Sequence, residues 1–290
     1  MKVIVFGGGR YGRDYISFCA GHDTVVAIAD NYNNVPSVLG HKVIKPNEIL
    51  NYDYDKVLIC LRDDTREYQE IISQVYNQLI AIGIPRQKIL LNNIREERLQ
   101  MVIPRTIFMK NIAEQLKNVA GDMVECGVFL GNFAALINKL LPEKHLHLFD
   151  TFIGFDERDM DKEDEAGKKW LSGAMKGHSV GSEFLTLLRC PNYENITTYK
   201  GYVPDTFSEL DYIKNKYSFV NLDMDLYAPT LSALIYFSTR VESGGLILLH
   251  DYFCEDIPGI RKAVFEAEDA LSDFIRFPIG DGYSLALMRK

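Results

Sequence analysis

Short apolar runs alternate with segments of helical periodicity along the chain. In the first third, the runs KVIVF, TVVAIAD, HKVI, DKVLICL and RQKILLN predict five strands. Residues 65–82 repeat apolar side chains at helical spacing, which is typical of a helix that packs on one face. Strands that alternate with helices in this way predict a parallel α/β sheet.

The alternation is interrupted near residue 100 and then begins again. Residues 93–103 are charged and lack a strand pattern, so we place a linker at 96–104, between domains at 1–95 and 105–290. The larger domain has seven further apolar runs, five of which lead into helices. Gly280-Asp281-Gly282 joins the last two, which predicts a hairpin and an antiparallel last strand. This number of strands differs from that of a Rossmann dehydrogenase.

An acidic segment, residues 156–165, lies within the larger domain. Such clusters usually form a solvated surface, and this is the first interpretation. Because the segment follows directly after Asp150, a mobile lid over a binding site is the alternative.

Composition narrows the class of partner. The net charge of -8 argues against a nucleic-acid partner, and no apolar run is long enough to span a bilayer. The start, MKVIVFGGG, reaches glycine too early for a signal peptide. The five cysteines are scattered without a CxxC pair, as expected of reduced thiols in a cytoplasm. We therefore expect a cytoplasmic protein that acts on a small molecule or glycan, and leave a homo-oligomer open.

A glycine pattern follows the first strand. Gly7, Gly9 and Gly12 match GxGxxG, and Asp30 ends the second strand at the spacing typical of a ribose-binding acid. The domain resembles small Rossmann-like domains attached to enzymes of polysaccharide and sugar-nucleotide metabolism. These residues predict a nucleotide or nucleotide-sugar site. The alternative is a degenerate domain used for packing or oligomerisation.

A second glycine turn lies at 123–150, within the larger domain. The strand MVEC leads into Gly127 and Gly131, a helix follows, and the next strand ends at Asp150. Glycines between a strand and a helix allow a ligand to approach the backbone, and Asp150 is placed to accept ribose hydroxyls. Glu125 is an acid within an apolar run, which is costly unless it has a partner. It is otherwise a solvated strand end.

Four titratable residues follow two later strands. Asp223 and Asp225 end one strand, and His250 and Asp251 end the next. Groups so close repel each other or shift their pKa values unless a cation lies among them. The alternative is that some of them cap helices. Strand alternation favours only one of His250 and Asp251 facing the site, and we choose Asp223 and Asp251 as the principal ligands.

Five motifs carry a family resemblance: GDMVECGVFLGNFA, LFDTFIGFD, KGYVPDTF, LDMDLYAPT and HDY. Over residues 105–290 the chain resembles the macrocin O-methyltransferase family. The resemblance implies an α/β fold with the seven-stranded sheet of class I (Rossmann-like) methyltransferases, here preceded by a smaller Rossmann-like parallel α/β domain. It also implies S-adenosylmethionine, a divalent metal and transfer to a sugar hydroxyl.

The resemblance assigns roles to residues of this chain. The implied cofactor-binding residues are Glu125, Gly127, Phe129, Gly131, Asn132, Asp150, Thr151, Phe152, Gly201 and Tyr202. Thr151 and Phe152 would flank the adenosine, although Phe152 and Tyr202 are equally consistent with core aromatics. Asp223, His178 and His250 are the catalytic candidates, His178 as a general base. Asp223, Asp225, His250 and Asp251 are the metal candidates.

One residue departs from the family pattern. His250-Asp251-Tyr252 stands where the family typically has Asp-Asp-Tyr. An imidazole suits manganese, iron or zinc better than magnesium. We therefore predict an S-adenosylmethionine-dependent O-methyltransferase, metal-assisted by Mg²⁺ or Mn²⁺, that acts on a glycan precursor or glycosylated natural product. The alternative is a non-catalytic nucleotide-binding or assembly protein that retains the fold. A dehydrogenase is a further alternative, but the sequence shows no matching acid/base pair near the first glycine turn, so we do not favour it.

Overall fold

The structure is a computed structural model that describes residues 1–18, 23–92, 103–177, 181–210 and 216–290. The chain divides into two compact units, Met1–Gln100 and Met101–Lys290. Residues 96–102 of the predicted linker lie outside the described ranges. None of the helices in these ranges has the length and apolar character needed to cross a bilayer.

Unit 1 is a Rossmann-like α/β sheet. Its strands are β1 (Lys2–Phe6), β2 (Thr24–Ala29), β3 (Ser37–Val38), β4 (His41–Ile44), β5 (Lys56–Ile59) and β6 (Ile89–Leu91), in the order β3-β4-β2-β1-β5-β6. The helices are α1 (Arg10–Phe18) and α2 (Arg66–Ala81), with 3₁₀ turns at Pro46–Asn51 and Arg86–Lys88. The five predicted strands are present and parallel. The short β3 was not predicted and runs antiparallel to β4 at the edge of the sheet.

Unit 2 contains a seven-stranded sheet. Its strands are β7 (Asp122–Cys126), β8 (Leu146–Asp150), β9 (Ile196–Lys200), β10 (Tyr217–Leu222), β11 (Val241–Leu249), β12 (Phe274–Pro278) and β13 (Leu285–Arg289). The order is β12-β13-β11-β10-β7-β8-β9, and β13 runs antiparallel to both β11 and β12. The predicted class I methyltransferase sheet with its final hairpin is therefore confirmed.

Helices cover both faces of this sheet. They are α3 (Ile103–Leu116), α4 (Asn132–Leu140), α5 (Glu157–Met160), α6 (Glu165–Gly177), α7 (Glu183–Arg189), α8 (Tyr227–Ser238) and α9 (Pro258–Glu266). Strand alternation divides the core: Phe219 of β10 packs with α3 and α4, and Val220 packs with α8 and α9. After Pro204 the chain forms a 3₁₀ turn, Asp205–Glu209, and residues 211–215 lie outside the described ranges.

The acidic segment at 156–165 is not simply a solvated surface. Asp159 is 3% exposed and accepts the hydroxyl of Tyr202 at 2.6 Å, and Glu163 is 4% exposed. Oε1 of Glu163 accepts the backbone N–H of Tyr227, at the start of α8, at 2.6 Å. Burial raises the pKa of both acids. The solvated interpretation is therefore wrong for these two residues, and the movement of a lid stays a prediction.

Candidate active site

The glycine turn after β7 requires the glycines that form it. Gly127 has φ +84, and an added Cβ would lie 1.9 Å from the carbonyl oxygen of Asp223. Gly131 has φ +76, and α4 begins directly after it at Asn132. An added Cβ on Gly131 would lie 2.6 Å from the side chain of Thr186. Both positions therefore combine a left-handed backbone with no room for a side chain. The turn brings β7 into direct contact with the end of β10.

Asp150, at the end of β8, is bonded to this turn. Its Oδ2 accepts the backbone N–H groups of Val128 at 2.7 Å and Phe129 at 2.8 Å. Its Oδ1 accepts the N–H of Phe152 at 2.7 Å. An ionised carboxylate offers about four acceptor sites, so it can still accept from a ribose hydroxyl.

Phe129 and Phe152 share an unusual backbone conformation but differ in exposure. Their φ values are +53 and +54, in the left-handed region that non-glycine residues rarely adopt. The ring of Phe129 is 42% exposed, whereas Phe152 is 5% exposed and packs in the core beside α3 and α4. Phe152 therefore lies in the core, as the alternative interpretation expected, and a contact with adenosine stays a prediction.

The remaining predicted cofactor residues lie beside Asp150. The hydroxyl of Thr151 donates to the carbonyl of Gly154. The N–H of Gly201 donates to the carbonyl of Asp150 at 3.1 Å. Tyr202 follows, with the guanidinium of Arg158 3.7 Å from its ring centroid. Tyr202 is thus held by the acidic segment rather than by the core.

Glu125 is a buried acid, 1% exposed, and not a solvated strand end. Asn221, directly opposite on β10, donates its Nδ2 to Oε1 of Glu125 at 3.2 Å. Oε2 is buried and makes no hydrogen bond within the part of the chain that is described. Burial and then the charge of Asp223 raise the pKa of Glu125 well above its usual range. Asn221 is therefore the partner that we predicted for Glu125, and it bonds one of the two carboxyl oxygens.

Asp223, His250 and Asp251 converge on one point. One potential ligand atom from each lies within 4.8 Å of the others. Nδ1 of His250 is 3.1 Å from Oδ1 of Asp223 and 2.7 Å from Oδ2 of Asp251. Among the described residues this buried nitrogen makes no hydrogen bond, so its contacts with the two carboxylates are ion pairs. The three side chains therefore form one ion-paired cluster, whose atoms lie close enough together to hold a cation.

The charges in this cluster are interdependent. Burial raises the pKa of Asp223, but His250 and Arg105 outweigh it and hold that pKa below its usual value. Burial lowers the pKa of His250, but the carboxylates of Asp223 and Asp251 raise it to about 10. Burial and then the charge of Asp223 raise the pKa of Asp225 well above its usual range, and Asp225 is hydrogen-bonded to Asp251. Asp225 thus lies beside the cluster, with the proton held more tightly than on an ordinary carboxyl.

Strand alternation did not predict this arrangement correctly. We expected only one of His250 and Asp251 to face the site, yet both side chains do. His250 contacts Asp223, and Asp251 contacts His250. β11 ends at Leu249, and Asp251 has φ +58, so the two residues lie in a turn and not in a pleated strand. His178, the predicted base, lies outside the described residues.

Three residues of the site were not predicted: Arg105, Asn221 and Tyr283. Arg105 of α3 donates from Nη1 to Oδ2 of Asp223 at 3.2 Å and from Nη2 to Oδ1 of Asn221 at 2.8 Å. Tyr283, in the β12–β13 loop, stacks on the imidazole of His250 with centroids 5.8 Å apart and planes 11° apart. In the sequence, Arg105 could have been noticed only as the single charged residue within IPRTIF. No sequence pattern indicated Tyr283.

The glycine pattern of unit 1 also forms a turn that is bonded to the acid at the end of the next strand. Gly7 has φ +109, and a Cβ on Gly12 would lie 1.8 Å from the carbonyl oxygen of Gly7, whereas Gly9 has open space. Oδ2 of Asp30 accepts the N–H of Gly8 at 2.7 Å. Its Oδ1 accepts the N–H groups of Tyr32 at 2.9 Å and Asn33 at 2.8 Å. These contacts explain Gly7, Gly12 and Asp30 structurally but not Gly9, and a ligand stays a prediction.

Comparison with known proteins gives two family matches. The family model described as Macrocin-O-methyltransferase (TylF) matches residues 88–275. The model described as C2185-like, N-terminal, matches residues 1–90. No curated protein sequence matches the chain.

Two solved structures share the fold. The O-methyltransferase NovP is 22% identical, with a TM-score of 0.54 over 65% of this chain and 80% of its own. The calicheamicin methyltransferase CalS11 is 19% identical, with a TM-score of 0.50 over 79% of this chain and 95% of its own. At these identities the likeness concerns the fold.

Proposed function

The chain belongs to the macrocin O-methyltransferase family and is an O-methyltransferase, and from this premise we propose that it transfers the methyl group of S-adenosylmethionine to a sugar hydroxyl. The acceptor would be a glycan precursor or a glycosylated natural product. One observation carries the proposal: Gly127 of the nucleotide-type turn packs directly against the backbone of Asp223. A cofactor on the turn and a hydroxyl at the Asp223 cluster would therefore be neighbours.

The cofactor subsite uses Asp150 and the glycine turn. Asp150 would accept ribose hydroxyls while its bonds to Val128 and Phe129 keep the turn in shape. The glycines let the ligand approach the backbone closely. When bound, S-adenosylmethionine supplies an electrophilic methyl group on a sulfonium. The chain's own contribution is to orient that group towards the end of β10.

The residues of the cluster fit a divalent metal. Asp223 and Asp251 supply carboxylate oxygens, and the three potential ligand atoms converge. His250 supplies a buried nitrogen that makes no hydrogen bond within the described part of the chain. A mixed oxygen and nitrogen set suits Mn²⁺ at least as well as Mg²⁺. A bound divalent cation lowers the pKa of a coordinated hydroxyl.

The residues around the cluster also determine which groups bind or release a proton. The lowered pKa of Asp223 keeps it ionised at neutral pH, whereas burial and the charge of Asp223 raise the pKa of Asp225. Coordination requires a neutral imidazole, so His250 must release its proton. His178 is proposed to take the proton of the acceptor hydroxyl.

The test measures S-adenosylhomocysteine binding by calorimetry and methyl transfer to a panel of sugar acceptors. We expect binding by the wild-type chain, loss of transfer in excess chelator, and recovery with Mn²⁺ at least as complete as with Mg²⁺. Asp223→Asn should lose transfer while cofactor binding survives. Absence of cofactor binding would refute the proposed donor, and full activity in chelator would refute the metal.

We also propose that unit 1 binds a nucleotide or nucleotide-sugar. The support is the open space at Gly9 beside the close Gly7–Gly12 contact and Asp30. In the full chain, a nucleoside diphosphate sugar should raise the melting temperature, and Gly9→Val should remove that shift. If no nucleotide or nucleotide-sugar in a broad panel raises the melting temperature, the role of these residues is packing.

A further inference from the structure

Arg105 connects the two halves of the site in unit 2. Its guanidinium contacts Asp223, a proposed metal ligand, and Asn221, which in turn donates to Glu125 on the cofactor side. The ring of Phe133 lies beneath it, with its centroid 4.1 Å from the guanidinium carbon. The Arg105 side chain is 13% exposed. It is therefore a largely buried cation held from three directions.

The two oxygens of Asp223 have different neighbours. Oδ2 accepts from Arg105, and Oδ1 lies 3.1 Å from Nδ1 of His250, on the side of the converging cluster. An unsupported carboxylate can rotate and offer either oxygen, or both, to a cation. The bond from the guanidinium to Oδ2 fixes this rotation, so Oδ1 is the oxygen directed at His250.

We propose that Arg105 is a positioning residue that holds the Asp223 carboxylate in one orientation, with Oδ1 directed at the proposed metal; this rests on the proposed metal. The role calls for arginine, because its planar fork reaches two acceptors at once whereas lysine carries a single ammonium. Asn221 fixes the other arm of the fork, and its own amide is oriented by the bond to Glu125. The position of Asp223 thus depends on the same amide that partners the cofactor-side acid.

Charge and geometry act in opposite directions here. A guanidinium close to the cluster repels a divalent cation, so removing its charge alone would strengthen metal binding. Fixing the ligand strengthens binding, and the loss of such supporting residues typically lowers metal affinity by about 10- to 100-fold. Arg105→Lys keeps the charge and loses the fork, so this substitution isolates the geometric effect.

The experiment is a Mn²⁺ titration of the full chain, followed by electron paramagnetic resonance, without acceptor or cofactor. Arg105→Lys should weaken Mn²⁺ binding by about 10- to 100-fold. The matched control is Arg240→Lys, because Arg240 also lies over an aromatic ring, at 3.7 Å from the Tyr236 centroid, and bonds a backbone carbonyl away from the site. The control should bind Mn²⁺ as the wild type does.

Unchanged Mn²⁺ affinity in folded Arg105→Lys, judged by circular dichroism, would overturn the proposal for Arg105 and leave the metal intact. If that variant does not fold, Phe133→Leu replaces it, since it removes the supporting ring and keeps every polar group. It should weaken binding by about threefold, the size of a modest cation–π contact, and no change would again overturn the role. A wild-type chain that binds no Mn²⁺ refutes the metal itself, and the role of Arg105 with it.

Discussion

Replacing Asp150 by asparagine tests the cofactor subsite with the least change of shape. The carboxylate accepts three backbone N–H groups, two on Oδ2 and one on Oδ1. An amide has one acceptor oxygen, so the favoured orientation keeps the two bonds to the turn and leaves the N–H of Phe152 facing an NH₂ group. We expect a loss of stability of about 1–3 kcal/mol, the cost of a buried donor without an acceptor.

The effect on cofactor binding is separate from this loss. Ribose hydroxyls that donate to a charged carboxylate contribute about 1.5–3 kcal/mol, so Asp150→Asn should bind S-adenosylhomocysteine about 10- to 150-fold more weakly. Isothermal titration calorimetry measures the affinity, and denaturant unfolding measures the stability.

Unit 1 supplies the matched control. Asp30 also accepts three backbone N–H groups, at 2.7, 2.8 and 2.9 Å, one of them from its glycine turn. Asp30→Asn should therefore lose a similar amount of stability and leave the affinity for S-adenosylhomocysteine unchanged. Wild-type affinity in Asp150→Asn would refute the ribose role. Equal weakening by both variants would show that the effect comes from general destabilisation.

Two further predictions concern the supports of the site. Gly127→Ala should destabilise unit 2 by at least about 2 kcal/mol in denaturant unfolding. Gly127 has φ +84, and the added Cβ would lie 1.9 Å from the carbonyl oxygen of Asp223. Wild-type stability of this variant would contradict the close contact. Burial raises the pKa of Glu163 above its unfolded value near 4.5, so the fold favours the protonated acid and loses stability as pH rises from about 4.5 through the folded pKa. The melting-temperature advantage of Glu163→Gln over wild type should therefore grow with pH, and a difference that is constant or shrinks would contradict the raised pKa.

Local pattern was sufficient to predict the strands and the turn-forming residues. Apolar runs and glycine spacing are encoded in adjacent residues, so the seven strands of unit 2 and the position of Asp150 at the end of β8 followed from them. The residues that were missed act through distant contacts. Arg105 reaches Asp223 across 118 positions, and no local period signals such a pair.

The buried acids show the same limit. In a run such as DERDMDKEDE, a solvated carboxylate and a buried one look alike. Glu163 is buried because the N–H of Tyr227, 64 positions away, begins α8 beside it. His250 and Asp251 were misjudged for a different reason: strand alternation was extended two residues past the end of β11, into a turn where Asp251 adopts a left-handed conformation.

The two units also show why an acid after a glycine turn does not by itself identify a catalytic centre. Asp30 and Asp150 make nearly the same bonds to their turns. The difference lies on the neighbouring strand. A Cβ on Gly127 would meet the backbone of Asp223 after β10, whereas a Cβ on Gly7 would meet Cys60 and Leu61 after β5. Where unit 2 presents a carboxylate beside its turn, unit 1 presents an apolar side chain, so chemistry at a cation is expected in unit 2 and binding without chemistry in unit 1.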